Sequence, residues 1–366
     1  MGAPLSSGRR ADDRFRLARI ARGLSQAALA ERAGVTRQAI TGIESGHWSP
    51  SLDVALALAG ALGSSVEELF GPAPTFPPLE VQLATEATEP SRLLFSGIGG
   101  EQVGFPLEGD HVLVPGFRPA LAGAPASGSA AAGSRVEVHP FVSPGPTVVV
   151  AGCDPALALL AGPLERHRPS VGLVWWNCGN SAGRALLEAG HAHAAAVHRR
   201  RDEALRPPVR CEAVGFAAWR EGLAVSPRYA GRVQGLADAL ELGLRLANRE
   251  PGSEARRLVD EALASIKADT SVLPGYETVC SAHLLVTSAI AAGLADVGVA
   301  SEPAALAHGL GFVPWQEEIC ELWVPEQLLG ETEVRALLDV LAGGEVSAQL
   351  AAIAGYDNGP CGRLVV

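Results

Sequence analysis

Apolar residues in the first seventy positions recur at the spacing of short helices. Between Asp12 and Arg22 they fall at Phe15, Leu17, Ala18, Ile20 and Ala21, close to one helical face, and Gly23 ends the run. Ser25 stands as an N-cap for a helix over Gln26–Ala33, with Gly34 where a left-handed C-terminal residue is needed. Thr36 caps a third helix, Arg37–Glu44, closed by Ser45-Gly46. Ser51 caps a fourth, Leu52–Leu62, closed by Gly63, and Ser64/Ser65 opens a last short one ending in Glu-Glu-Leu-Phe-Gly. Five short capped helices predict a compact all-α unit over residues 1–71. Ala33-Gly34-Val35-Thr36 has the form of the tight connection in a helix-turn-helix.

The pattern then changes twice. Pro72–Pro78 is a proline-rich linker, stiff and unable to continue a helix. Short apolar strings at Val81–Leu83, Leu93–Phe95, Val103–Phe105, His111–Val114 and Val136–Val138, separated by Gly/Pro turns, predict a small antiparallel β element. Ala120–Ser134 reads as an exposed Ala/Gly/Ser/Pro loop, so 72–145 forms a linker and β-rich connector. From Thr147 onward buried strands alternate with helices. VVVAG leads into a helix over Asp154–Ala161, and VGLVWW into one within NCGNSAGRALLEAG. HAAAVH, FAAWREGLAV, LRLAN and VGVAS are further strands, Glu254–Ile266 is a helix, and Glu331–Ala354 closes the chain as a long helical stretch. Residues 146–366 therefore predict an α/β domain with mainly parallel sheets. The fold class is multidomain: an all-α five-helix domain, a short β-rich connector and an α/β domain.

Composition narrows the function. The 366 residues are 48% hydrophobic and 19% charged, with no apolar run long enough to span a bilayer and no signal-peptide pattern at the N-terminus. The six cysteines are too irregularly spaced for a disulfide framework, so a cytoplasmic location without membrane partners is expected. Net charge is −11, but residues 1–50 hold eight arginines against four acids, which is +4 and leaves −15 for the remaining 316. A basic head on an acidic body suits a protein that touches DNA at one end.

The run RGLSQAALAERAGVTRQAITGIESGHWSPSLDVALALAGALGSSVEELF resembles the lambda-repressor-like (Xre-type) helix-turn-helix family throughout. The shared positions include Leu24-Ser25-Gln26, Ala33-Gly34-Val35, Ile40, Ile43-Glu44, Gly46 and Pro50. The resemblance implies that Arg37–Glu44 enters the major groove by its N-terminal end. Thr36, Arg37, Gln38 and Thr41 are then the base-reading candidates, because Arg pairs with guanine edges and Gln with adenine edges in two-bond geometry. Gln26, at the start of the preceding helix, would hold a phosphate, with Arg14, Arg16 and Arg22 as further backbone contacts. Gly42 departs from the family, which often carries a basic or polar side chain there.

Residues 146–366 resemble the type-2 periplasmic-binding-protein-like sensor domain that is related to molybdate-binding proteins and found fused to helix-turn-helix domains. The carriers are Ala151-Gly152-Cys153-Asp154-Pro155-Ala156-Leu157, Ser181 to Leu187 with Gly190-His191-Ala192-His193, Gly222-Leu223-Ala224-Val225, and Asn248 through Arg256. Gly275-Tyr276-Glu277, His283, Ala291 through Asp296 and Gly355-Tyr356-Asp357 complete them. The resemblance implies two lobes, hinge crossings near Trp219–Val225 and Cys320–Pro325, and a ligand in the cleft. Cys153, Asp154, Asn180, Ser181, Asn248, Arg249, Ser253, Arg256, Ser281 and His283 are the ligand-binding candidates. Ser253 and Ser181 lie at helix starts, where hydroxyls and helix dipoles together can hold a tetrahedral oxyanion; taken singly each reads as an ordinary N-cap, and as a pair they read as the site. Molybdate or tungstate is the first expected effector. The related pattern continues Gly-Ser-Gly-Thr-Arg, whereas this chain has Gly252-Ser253-Glu254-Ala255-Arg256, which adds a carboxylate and removes a hydroxyl.

Three cysteines point elsewhere. Cys153 and Cys178 end predicted strands, and Cys280 lies three residues before His283, so a soft metal ion or a thiol redox event is a second candidate signal. His191 and His193 alternate on a strand edge and read as structural. No P-loop, no zinc-protease helix and no Gly-x-Ser-x-Gly elbow stands out, nor does a nucleophile with its base, so the expectation is a regulator and not an enzyme. The reading is a one-component transcription regulator, expected to be a homodimer on double-stranded DNA, whose sensor closes on a small molecule or oxyanion. An α/β domain that serves only to dimerise is the other possibility.

Overall fold

The computed structural model describes residues 8–71, 77–88, 92–111, 120–122, 129–140 and 145–365. Residues 72–76 of the proline-rich linker, 112–114 of one expected strand and 123–128 of the expected loop lie outside the described residues. The chain divides into two compact units, residues 1–76 and 77–366.

The first unit is five helices: α1 (Gly8–Ala21), α2 (Gln26–Ala33), α3 (Arg37–Glu44), α4 (Leu52–Leu62) and α5 (Val66–Phe70). The predicted caps are in place. The side chains of Ser25, Thr36 and Ser51 accept from the backbone N–H of Ala28, Ala39 and Val54, satisfying donors that the first helical turn leaves free. Gly34 and Gly63 sit at φ 67° and 57°, the left-handed conformation that ends α2 and α4. Phe15, Leu29, Ile40, Ile43, Leu58, Leu62 and Leu69 form the core.

The second unit opens with a closed barrel. The strands here are β1 (Leu79–Leu83), the short β2 (Ala87–Thr88), β3 (Arg92–Ile98), β4 (Glu101–Pro106), β5 (Ala120–Ala122), β6 (Ser129–Ala130) and β7 (Arg135–Pro140); the barrel order is β1-β4-β3-β5-β7, and β2 pairs with β6 alone. Only the β1–β4 pairing is parallel. The expected exposed loop at 120–134 thus contributes two short strands. Leu94, Ile98, Val103 and Phe105 pack into the same cluster as Val148–Ala151, and Ser96 Oγ donates to Thr147 O at 2.9 Å. The β-rich stretch therefore shares a core with the α/β part of the unit.

The α/β part continues with β8 (Thr147–Ala151), α6 (Ala161–Arg166), β9 (Gly172–Trp176), α7 (Asn180–Glu188), β10 (Ala194–Arg200), β11 (Cys211–Val225) and α8 (Leu236–Glu241). It goes on through β12 (Asn248–Arg249), α9 (Glu254–Ser265), β13 (Val279–Cys280), α10 (His283–Ala291), β14 (Val297–Ser301), α11 (Glu302–Ala307), β15 (Gly311–Pro325), α12 (Thr332–Ala342) and α13 (Glu345–Ala351). Three expectations change. The sheet, ordered β14-β11-β15-β10-β8-β9, is mixed: β8 pairs in parallel with β9 and β10, while the other three pairings are antiparallel. Residues 155–160 form a 3-10 turn before α6. The last long helix is two, because Gly344 takes φ 81° between α12 and α13.

The antiparallel pairs have a geometric origin. β11 and β15 pair from Cys211 opposite Pro325 to Val225 opposite Gly311, so both strands run through both lobes, out and back. One end lies in the lobe built on Val148–Ala151, Leu157, Val174 and Leu337. The other lies in the lobe built on Leu223, Val225, Leu258, Val259 and Val297. The register shifts between Glu221 and Gly222, opposite Gln316 and Pro314. That places the return crossing earlier in β15 than the expected Cys320–Pro325.

Candidate functional site

The helix-turn-helix presents its expected reading face. Thr36, Arg37, Gln38 and Thr41 are exposed, while Ala39, Ile40 and Ile43 bury the opposite side of α3. Thr36 spends its hydroxyl oxygen on the cap, and Thr41 Oγ1 lies 3.0 Å from Arg37 O and 3.3 Å from Gln26 Oε1. The expected phosphate contacts are partly committed. Gln26 Nε2 donates to Glu44 Oε2 at 2.7 Å, Arg14 donates to Gly71 O, and Arg22 donates to Gly63 O and Ser64 Oγ. Glu44 also takes the guanidinium of Arg19, with Nε at 2.6 Å. Burial pushes the Glu44 carboxyl up, but hydrogen bonds from Arg19 and Gln26 outweigh it and hold the group below its ordinary range. Gly42 has a structural reason: a Cβ there would stand 3.3 Å from Trp48 Cβ.

A second cluster lies where the lobes meet. Cys153 follows β8 and is buried. His198 faces it from β10, and cross-strand pairing sets Cys320 opposite His198, Glu318 opposite Trp219 and Gln316 opposite Glu221. Alternation along each strand then puts His198, Glu318, Trp219 and Glu221 on one face. His283 arrives from the first residue of α10 in the other lobe. One donor atom from each of Cys153, His198 and His283 lies within 4.8 Å of the other two, and all three residues are buried. His198 Nδ1 hydrogen-bonds Glu318, whose second oxygen accepts from Gln316 Nε2 at 2.7 Å. His283 Nδ1 stands 3.5 Å from Glu221 Oε1, and neither atom has a hydrogen-bond partner.

The electrostatics follow from this burial. Burial lowers the pKa of His198, but Cys153 and Glu318 beside it raise it well above the ordinary imidazole value. Burial drives His283 well below that value, helped by the charges of Arg249 and His198. Glu221 is pushed well above the carboxylate range by burial and then by Glu318.

The expected ligand residues divide. Cys153 and His283 belong to the cluster. Asn180 supports it, with Nδ2 donating to His198 O at 2.6 Å and Oδ1 accepting from His198 N at 3.1 Å. Asp154 caps the 3-10 turn and accepts from Tyr356 OH at 2.5 Å, leaving Oδ2 buried without a partner. Arg249 is buried but gives both arms to Glu250, at 2.7 and 2.8 Å, and reaches Ser281 O. Asn248 bonds Tyr276 O and Arg249 N, and Arg256 stacks 4.0 Å over the Tyr276 ring. Ser253 is the ordinary N-cap of α9. Ser181 is exposed on α7 and is brought to nothing in the cluster. Gly179-Asn180-Ser181-Ala182-Gly183 does spell Gly-x-Ser-x-Gly, but Ser181 lies inside the helix, not on the strained turn that exposes such a nucleophile.

Of the three cysteines, Cys153 alone belongs to the cluster. Cys178 lies near Cys153, and burial followed by that neighbour pushes its thiol up to about 12. Cys280 is half-buried, raised by burial, and packs against the apolar cluster around Val286 and Ile290. Among the described residues the converging ligands are one cysteine and two histidines. His198, Glu221 and Glu318 were missed because each reads locally as a polar residue in a strand beside another charged residue, Arg199, Arg220 and Glu317 in turn, so nothing in the sequence marks it as buried. His193 is structural as expected, with Nδ1 accepting from Val149 N at 2.9 Å and Nε2 3.3 Å from Glu331.

Comparison with known proteins places both units. A helix-turn-helix family model matches residues 15–69, and a PBP superfamily domain model matches residues 161–342. An uncharacterized HTH-type transcriptional regulator of Methanothermobacter thermautotrophicus is 53% identical over 49 residues, 13% of this chain and 71% of that protein. The Bacillus subtilis protein YvgK is 27% identical over 147 residues, 40% of this chain; the chain thus spans 47% of that relative's length. Among solved structures, a phosphate ABC transporter substrate-binding protein from Clostridium perfringens with bound phosphate aligns at TM-score 0.42 and 16% identity, over 56% of this chain and 97% of that one.

Proposed function

Because the chain belongs to the HTH-type transcriptional regulators, its reader followed by a PBP superfamily domain, we propose that it couples operator binding to a small ligand held between the sensor lobes. The observation that carries the reading is the buried cluster at the lobe junction. Unpartnered buried polar atoms cost about 1–3 kcal/mol each, and here Glu221 Oε1 and His283 Nδ1 go unpaired at the hinge. Groups from both lobes converge there, so a ligand that satisfies them favours the closed arrangement and shifts the population toward it. In a homodimer, that closure would alter the spacing of two α3 helices against half-sites about one DNA turn apart. The reader would use Arg37, Gln38 and Thr41 on bases, with Thr36 and Gln26 setting the helix.

For molybdate or tungstate the support is the resemblance to oxyanion-binding domains and the helix start at Ser253. Against an oxyanion stand Glu221 and Glu318, buried at the same junction, and the engagement of Arg249 by Glu250. The deciding experiment measures the affinity of the full chain for a selected operator, and its melting temperature, with molybdate, tungstate, phosphate, divalent metals and a panel of organic acids. A ligand that raises the melting temperature must also change operator affinity. Stabilisation by a ligand with no change in operator binding refutes the coupling.

A further inference from the structure

We infer that the lobe junction is a metal site in which Cys153, His198 and His283 bind one thiophilic divalent d-block cation, Zn2+ or a close relative; the inference rests on the ligand-coupled reading above and names the ligand. The geometry is near to what coordination requires. The three donor atoms lie within 4.8 Å of one another, and tetrahedral Zn–S and Zn–N bonds set ligand atoms about 3.3–3.6 Å apart, an approach of roughly 1 Å. One thiolate and two imidazoles are a borderline-soft set that selects Zn2+ over Mg2+ or Ca2+.

An independent feature is the shell behind the ligands. Metal-bound histidines commonly give their other ring nitrogen to a carboxylate, which fixes the ring and raises its basicity. His198 has that partner, its Nδ1 on Glu318, and His283 Nδ1 faces Glu221 Oε1 at 3.5 Å, a carboxyl in place behind the ring but not yet hydrogen-bonded to it. The opposite nitrogen of each ring remains for the ion. Asn180 holds the His198 backbone from both sides, so that ligand is fixed before any metal arrives.

Charge points the same way. Glu221 is 1% exposed and Glu318 1% exposed, and Arg249 is held by Glu250. An anion entering here would meet the buried carboxyl oxygens of Glu221 and Glu318, whereas a divalent cation would be met by these acceptors and by the Cys153 sulfur. Binding would give His283, unpartnered in the structure, a partner. Because His283 comes from one lobe and Cys153 and His198 from the other, the ion would hold the lobes closed.

The test uses the full-length protein, stripped of metal with a chelator under reducing conditions and titrated with Co2+, then Zn2+. Expected are one ion per chain, a thiolate-to-Co2+ charge-transfer band, d–d bands of tetrahedral intensity, and displacement of both by Zn2+. Cys153→Ser should erase the charge-transfer band while Cys361→Ser keeps it, with circular dichroism confirming that both fold. Glu318→Gln should weaken Co2+ affinity about 10–100-fold with the band position unchanged. Absence of the bands in a folded protein overturns the site, as does their persistence in Cys153→Ser. Rapid alkylation of Cys153 that Zn2+ does not slow also overturns it, and leaves a reactive thiol oriented by His198. The two readings fail separately. No metal spectrum but a molybdate-dependent change in operator affinity refutes the ion and keeps the coupled regulator. A full Co2+ spectrum with operator affinity indifferent to the metal refutes the coupling and keeps the ion.

Discussion

Replacing Glu44 by Gln should unfold the DNA reader at markedly lower temperature, although Glu44 sits on no reading face. Its carboxylate joins three helices: Arg19 of α1 donates at 2.6 and 3.2 Å, Gln26 of α2 donates at 2.7 Å, and Glu44 itself ends α3. The side chains of Arg19 and Glu44 are only 11% and 6% exposed, so solvent screens the pair little. Hydrogen bonds to a charged group contribute about 1.5–3 kcal/mol, and breaking a buried pair costs roughly 3–5 kcal/mol. Gln retains volume and one acceptor, so the loss should be about 2–3 kcal/mol. For a unit of this size, each kcal/mol is about 4–8 °C, giving a fall of roughly 8–24 °C. The sign with pH is fixed by the lowered carboxyl of Glu44. Its contribution is complete above the unfolded carboxylate value and is lost as pH falls through the lower folded one. Calorimetry of the full chain should therefore show one transition moving down at pH 7, with the gap to wild type closing on acidification. A shift under 2 °C, or one that stays constant into the acid range, would mean that Glu44 is not the tie between these helices.

Other outcomes rest on the same geometry. Arg37→Ala with Gln38→Ala should weaken operator binding at least about tenfold, since a two-bond base contact is worth about 1–3 kcal/mol; an electrophoretic shift assay checks it, and ligand-induced melting shifts should be unchanged. Gly298→Ala would set a Cβ 2.5 Å from Val286 Cγ1 and 2.6 Å from Ala247 O. Overpacking of this kind costs about 1–3 kcal/mol, and an unaltered sensor melting temperature would contradict it. Tyr356→Phe removes the donor 2.5 Å from Asp154 Oδ1 and leaves a buried carboxylate with one bond fewer. The sensor transition should fall by several degrees, for a loss of about 1–3 kcal/mol, while the first unit's transition stays in place.

The helix-turn-helix was almost fully legible because its determinants are local. A cap hydroxyl and the N–H it satisfies are three residues apart, as at Ser25, Thr36 and Ser51, and a left-handed glycine announces itself at Gly34 and Gly63. What was not legible even there was occupancy. Gln26 looked free for a phosphate, and only the approach of α3 commits its amide to Glu44. Four of the barrel strands, β1, β3, β4 and β7, were visible as short apolar strings, but β5 lay in the expected loop, and closure depends on the parallel β1–β4 pairing, which no local pattern encodes.

The sensor shows the same division more sharply. Alternation of apolar runs with capped helices determined that an α/β domain comes after the connector, and the motifs around Cys153 and His283 marked two of its central residues. The sequence could not decide that β11 and β15 run through both lobes as an antiparallel pair, because strand direction is set by pairing between segments about 100 residues apart. Nor could it assemble Cys153, His198 and His283, which are separated by 45 and 85 residues along the chain and meet only through sheet register and lobe closure. Local hydrogen bonds and periodicity are properties of neighbours in sequence, so residue order alone determined the reader, its caps and its exposed α3 face. Burial, partner choice and the charge of a cluster are properties of neighbours in space, and those the tertiary structure alone decided.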